Sequence, residues 1–192
     1  MVFHAGIREK QRIIVCNMTE PLSALIDAVR DVPDFPKPGV LFKDITPILS
    51  DGRLFRLAIN CFVDASAALR VDKVVGIDAR GFLFGAAVAY ELGVGFVPVR
   101  KKGKLPFRTE SAAYALEYGD AVVEMHVDAI TPGERVVLID DLLATGGTAA
   151  AAACLITKMG GVLAEAQFLI ELEFLAGRKA LAHLPVRSFL KF

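Results

Sequence analysis

The chain has 192 residues, 54% of them hydrophobic, enough to cover both faces of a parallel sheet within one domain. Lys plus Arg and Asp plus Glu number 22 each, so the formal net charge is zero and bulk electrostatic binding to nucleic acid or an anionic membrane is not expected. No apolar run approaches the roughly 18 residues of a membrane span. Cys16, Cys61 and Cys154 lack paired spacing, as in reduced thiols of an intracellular protein. Residues 1–17 mix Arg8, Glu9, Lys10 and Arg12 with the single apolar run Ile13 to Cys16, which is no signal-peptide pattern. They are expected to form an N-terminal extension to one domain over residues 18–192.

In chain order, Leu22, Leu25, Ile26 and Val29 recur at helical spacing, with Pro21 near the first turn. Pro33, Pro36 and Pro38 argue against regular structure up to Gly39, and the short apolar run Val40-Leu41-Phe42 follows, rigidly framed. A helix is expected from Leu54 to Leu69 with Asp51 as its cap. Lys73 to Ile77 reads as a strand, Phe82 to Leu92 as a helix stopped by Gly93, and Gly95 to Val99 as a strand. Arg100, Lys101, Lys102, Lys104 and Arg108 put five cations into nine residues. A flexible loop leading into a hairpin is expected there, the hairpin ending in the alternating run Ala121 to Val127.

The stretch Val136-Val-Leu-Ile-Asp-Asp-Leu-Leu-Ala-Thr-Gly-Gly-Thr148 carries the most chemistry. Its apolar start reads as a buried parallel strand, Asp140 and Asp141 stand at the strand's C-terminal end, and Ala149 to Met159 reads as a helix. A Gly/Thr-rich loop between strand and helix suits a phosphate, because backbone N–H groups and the helix N-terminus present positive partial charge. Two carboxylates beside it would repel that phosphate unless they accept hydrogen bonds from something else, and the two adjacent hydroxyls of a ribose are such donors. Neither G-x-x-x-x-G-K-[ST] nor G-x-G-x-x-G occurs. Strand, helix and strand alternate over 73–99 and again over 135–170, which argues for an α/β fold with ligands at the C-terminal ends of the strands.

The run 136–148 resembles the signature of the type I phosphoribosyltransferases. Further landmarks resemble the adenine-specific branch of that family: Phe35-Pro-Lys-Pro-Gly-Val-Leu-Phe-Lys-Asp44, Asp78-Ala-Arg-Gly-Phe-Leu-Phe-Gly85, Val99-Arg-Lys-Lys-Gly-Lys-Leu-Pro106 and Leu116-Glu-Tyr-Gly119. The resemblance implies a parallel sheet with helices on both faces, an N-terminal base-binding hood and a flexible loop with a hairpin. It implies transfer of a 5-phosphoribosyl group from 5-phosphoribosyl 1-pyrophosphate to adenine, with AMP and pyrophosphate as products. Asp140 and Asp141 would hold the ribose hydroxyls, and Ala144, Thr145, Gly146, Gly147 and Thr148 the 5′-phosphate. Arg80, Arg100 and Lys104 would hold pyrophosphate. Val40, Leu41, Phe42 and Lys43, with Leu142 from the signature, would enclose the base. Glu117 would be the general acid/base, with Tyr118 beside it. Mg²⁺ would be held mainly through the substrate, and the expected assembly is a cytoplasmic homodimer. Lys43 stands where many members have arginine, and a point charge does not replace a planar fork. The same fold serves other bases, and a nucleic-acid-binding regulator would need an added helix pair or a large basic face.

Overall fold

The computed structural model describes residues 19–115 and 120–192. The expected extension over 1–17, together with Cys16, Glu117 and Tyr118, lies outside them. Nine strands and five helices are present among the described residues, arranged around a seven-stranded sheet ordered β5-β6-β4-β3-β7-β8-β9. Its strands are β3 (Lys73–Ile77), β4 (Gly95–Lys101), β5 (Thr109–Ala115), β6 (Asp120–His126), β7 (Arg135–Leu143), β8 (Val162–Glu171) and β9 (Val186–Lys191). From β4 to β9 every pairing is parallel, and the β5–β6 hairpin adds antiparallel to β4.

Successive residues of the central strands alternate between two cores, as the pleat requires. Val74 of β3 and Val137 and Ile139 of β7 pack with Ile48, Phe62, Phe84 and Val88 on one face. Val75, Val136 and Leu138 pack with Ala152, Leu155 and Ile156 on the other. The first face is covered by α1 (Thr19–Ala28), α2 (Thr46–Ser50), α3 (Gly52–Ala67) and α4 (Gly81–Leu92), the second by α5 (Gly147–Lys158). Helices on both faces are thus as expected. Asp51 caps α3 by accepting hydrogen bonds from the backbone N–H groups of Arg53 and Leu54, and Gly93 ends α4 in the left-handed region.

Two segments differ from the sequence reading. The proline-rich stretch is irregular from Asp34 to Val40, as expected, but the segments that flank it, β1 (Arg30–Pro33) and β2 (Leu41–Asp44), pair antiparallel as a separate ribbon that the sequence reading did not foresee. Pro33 is tolerated because it sits at the strand's end, where its missing N–H matters least. The basic stretch is also more compact than a long loop. Arg100 and Lys101 complete β4, Lys104 N–H donates to the Lys101 carbonyl at 3.2 Å, and Thr109 already begins β5.

Candidate active site

The C-terminal ends of β3, β4 and β7 each lead into one of the stretches singled out in the sequence: 78–85, 99–106 and 136–148. β7 runs through both carboxylates to Leu143, and the loop Ala144–Gly146 turns at Gly146, with φ +82°, into α5. Among the described residues no side chain caps α5, so its first N–H groups keep their hydrogen-bonding capacity for a ligand. Asp140, Leu142 and the loop through Ala149 line a small cleft of about 70 Å³, open to solvent.

Asp141 is buried and Asp140 partly so. The Asp141 backbone N–H donates to Asp140 Oδ1 at 2.9 Å. Burial, and then the neighbouring charge of Asp141, push the Asp140 carboxyl well above the ordinary aspartate range. Burial raises Asp141 too, against the opposing pull of the Arg80 guanidinium. Both carboxylates therefore gain from any donor or cation that enters the cleft.

Beyond β3, the Asp78–Ala79 peptide is cis and the chain turns through Arg80 into α4. Gly81 allows a close backbone approach here: a Cβ at this position would stand 2.8 Å from Asp140 Oδ1 and from the Ile139 carbonyl oxygen. Arg80 Nε lies 2.9 Å from Asp141 Oδ2, and its guanidinium sits 5.4 Å from the centre of the Phe42 ring. One side chain thus joins the loop after β3, the carboxylates of β7 and the β1–β2 ribbon.

The other predicted residues fall into two groups. Arg100 pairs with Asp78 at 3.2 Å and donates to the Lys104 carbonyl at 2.9 Å, so it ties the basic turn to the 78–81 loop while Lys104 itself stays exposed. Lys43 lies apart from the cleft: its Nζ is 2.6 Å from Asp31 Oδ1 and 4.3 Å from the centre of the Phe192 ring. Along β2, Phe42 and Lys43 point to opposite faces, as successive strand residues must.

Sequence reading passed over two carboxylates that shape this site. Asp44 accepts from the Thr46 N–H at 2.9 Å, from Thr46 Oγ1 at 2.7 Å and from Arg30 Nε at 3.0 Å, fixing the ribbon to α2. An Asp two residues before a Thr, ahead of Pro47, is the pattern of a side chain that closes its own turn. Glu124, buried within β6, accepts from the Gly103 N–H at 2.9 Å and pins the basic turn. Its signal was a lone carboxylate in the apolar run Ala121 to Val127.

A parallel sheet with a strand-end carboxylate pair and an uncapped helix behind a glycine turn is the arrangement of a phosphoribosyltransferase, and residues 53–171 match the model of the phosphoribosyl transferase domain. The adenine phosphoribosyltransferase of Anaeromyxobacter dehalogenans is 54% identical over 171 residues, covering 89% of this chain and 99% of that protein. Among solved structures, the adenine phosphoribosyltransferase of Thermoanaerobacter pseudethanolicus is 50% identical with a TM-score of 0.87, over 89% of this chain and 99% of that one. The Saccharomyces cerevisiae enzyme, complexed with an imino-altritol bisphosphate and adenine, is 42% identical with a TM-score of 0.85, over 88% and 98%. The chain belongs to the adenine phosphoribosyltransferase family.

Proposed function

We propose that the protein transfers the 5-phosphoribosyl group from 5-phosphoribosyl 1-pyrophosphate to adenine, giving AMP and pyrophosphate in purine salvage. The observation that carries this reading is the strand end Asp140-Asp141 set against the uncapped N-terminus of α5. Ribose hydroxyls donate to the two carboxylates while the 5′-phosphate accepts from the loop 144–148. At C1′ the bond to pyrophosphate breaks, its electron pair leaving on the pyrophosphate oxygen, and a ring nitrogen of adenine bonds to the carbon. Positive charge that builds on the ribose faces Asp140 and Asp141. Negative charge on the leaving group faces Arg80 and Lys104, with Arg100 holding their two loops together. The proton on the partner ring nitrogen passes to Glu117. Roles for Glu117 and Tyr118 rest on the resemblance of Leu116-Glu-Tyr-Gly119, since both residues lie outside those described.

The base is assigned to the β1–β2 ribbon. β2 pairs only with β1 among the described residues, so its other edge is open. On an open antiparallel edge the N–H and C=O of alternate residues point outwards together. That couple matches N1, an acceptor, and the 6-amino donor of adenine. The N–H and C=O of Val40 are engaged with Lys37 and Phe35, so Leu41 to Lys43 supply the couple. Phe42 and Leu142 add apolar walls, and the Lys43 side chain braces the strand from behind.

Asp140 and Asp141 are hard oxygen donors of the kind Mg²⁺ takes. No group of three or more metal-binding side chains occurs among the described residues, so substrate oxygens and water would complete its coordination. When bound, the ion would neutralise charge on the leaving pyrophosphate. A homodimer is the assembly we infer, and the exposed apolar side chains Leu83 and Tyr90 of α4 offer it a surface. A cytoplasmic setting is supported by the free thiols of Cys61 and Cys154. No described helix is long and apolar enough to cross a membrane.

Pyrophosphate release measured with each base in turn tests the reading. Hypoxanthine sets acceptor against acceptor at C6 and donor against donor at N1, each mispairing costing about 1–3 kcal/mol. Adenine should therefore be preferred by about a hundredfold or more. Comparable turnover of hypoxanthine or guanine would refute the base assignment and leave the phosphoribosyl site intact.

A further inference from the structure

The phosphate loop has a floor. The 3-10 turn Gly177–Leu181 lies against it so closely that a Cβ on Gly177 would stand 2.2 Å from the Ala144 carbonyl oxygen. A Cβ on Gly146 would stand 2.4 Å from the Gly177 carbonyl oxygen. Backbone rests on backbone, with no flexible side chain between to absorb a shift. A turn of five residues has few hydrogen bonds of its own to hold such a position.

Arg178 supplies what is missing. Its Nε donates to Glu171 at 2.8 Å and its Nη2 to the same carboxylate at 2.8 Å. Nη2 also reaches Ser188 Oγ at 2.6 Å, Nη1 donates to the Val186 carbonyl at 3.0 Å, and the Ser188 hydroxyl itself bonds to Glu171. The planar fork therefore joins the turn to the ends of both β8 and β9, in the bidentate geometry that lysine cannot reproduce. Glu171 pairs in register with Leu143, the residue before the loop, and the Leu172 N–H donates to the Leu143 carbonyl at 3.0 Å. The route from the Arg178 guanidinium through Glu171 thus ends at Leu143, beside the loop, while Val186 and Ser188 anchor it to β9.

We propose that Arg178 is a positioning residue for the 5′-phosphate loop, clamping Gly177 beneath Ala144 and Gly146 so that the loop keeps its phosphate-accepting shape. This rests on the assignment of residues 144–148 to the 5′-phosphate. Loss of the clamp loosens the grip on phosphorylated ligands and leaves the base site, which is on the β1–β2 ribbon, untouched. A second pair gives the control: Arg187 Nε bonds Glu165 at 2.9 Å across the same two strands. It lies six residues back along β8, roughly 20 Å from the loop.

The test is steady-state kinetics with calorimetry on Arg178→Met, Arg178→Lys and Arg187→Met. Arg178→Met should raise the KM for 5-phosphoribosyl 1-pyrophosphate and the Kd for AMP by about tenfold or more, with the adenine KM at saturating co-substrate within about twofold. Arg178→Lys should recover part of the loss. Arg187→Met should lower Tm and leave the 5-phosphoribosyl 1-pyrophosphate KM within about twofold. Should Arg178→Met fail to fold, Gly177→Ala keeps the ion pair and presses a methyl onto the Ala144 carbonyl, and it must give the same selective rise. An unchanged 5-phosphoribosyl 1-pyrophosphate KM in Arg178→Met or Gly177→Ala overturns the proposal, as does an equal rise in Arg187→Met. A wild-type protein that neither binds nor turns over 5-phosphoribosyl 1-pyrophosphate removes the phosphate-loop assignment itself, and the clamp's role with it.

Discussion

Asp140 and Asp141 are held at a cost to the empty protein, because burial disfavours their charged forms. A carboxyl whose folded pKa is raised contributes stability only below its unfolded value, about 3.9, and that contribution is lost as pH rises through the folded value. As pH rises above about 3.9, the ligand-free wild type should therefore lose Tm relative to Asp140→Asn/Asp141→Asn. At neutral pH the double variant should melt at or slightly above the wild-type temperature, while turnover falls by about a hundredfold or more. Scanning calorimetry across pH, paired with a pyrophosphate-release assay, checks both halves. Near-normal turnover would end the claim that these carboxylates bind ribose. The pair could be read from the sequence because two adjacent Asp between an apolar strand and a glycine turn have no packing purpose. The partner Arg80 was read as a pyrophosphate ligand, and its ion pair with Asp141 was not foreseen, since the two are far apart in the chain and meet only through the sheet order.

The ribbon β1–β2 is one element tied to α2 at Asp44. Hydrogen bonds from Thr46 and Arg30 hold the Asp44 carboxyl down to about 2, from an ordinary value of 3.8. Its stabilising contribution is full above that ordinary value and fades as pH falls towards 2, so at neutral pH the tie is intact. Asp44→Ala should raise the adenine KM by about tenfold and leave the 5-phosphoribosyl 1-pyrophosphate KM nearly unchanged, read by varying each substrate at saturation of the other. Equal rises in both would mean that the ribbon does not serve the base alone. This element was only half legible. Its apolar run and the irregular stretch between its strands were visible, but Arg30 to Pro33 shows no strand pattern of its own and is a strand because β2 pairs with it. The hairpin was expected and is present as β5–β6, but the extent of β5 was not legible: Thr109-Glu-Ser-Ala-Ala-Tyr-Ala115 has little strand character, and pairing with β6 makes it a strand. By contrast β3, β4, β7 and β8, with α4 and α5 between them, followed from apolar runs punctuated by glycine.

At the scale of the whole molecule, alternating strands and helices were enough to give a sheet covered on both faces, because a parallel strand has no other way to bury two apolar sides. The strand order could not be read the same way. Nothing in Val186 to Lys191 announces that β9 closes the edge beside β8, or that the turn Gly177–Leu181 returns beneath the loop Ala144–Gly146. The Lys43 side chain, expected at the base, illustrates the same gap. The strand's alternation fixes that Phe42 and Lys43 diverge, but only the tertiary fold supplies Asp31 and Phe192 as partners of Lys43.

If Asp141 takes the ribose and Arg80 the pyrophosphate, as proposed, their contact makes the two halves of the ligand interdependent. Whatever draws the guanidinium away leaves a buried carboxylate unmatched, and whatever occupies the carboxylate leaves the guanidinium in search of an anion. A fragment that engages only one of them bears the whole cost of separating the pair, whereas a molecule carrying both a ribose and a pyrophosphate bears it once and re-pairs both. Ribose 5-phosphate and inorganic pyrophosphate should accordingly assist one another, each tightening the other by the roughly 1–3 kcal/mol typical of coupled sites. Calorimetric titration of one in the presence of the other measures that coupling, and its absence would mean that the pair opens freely.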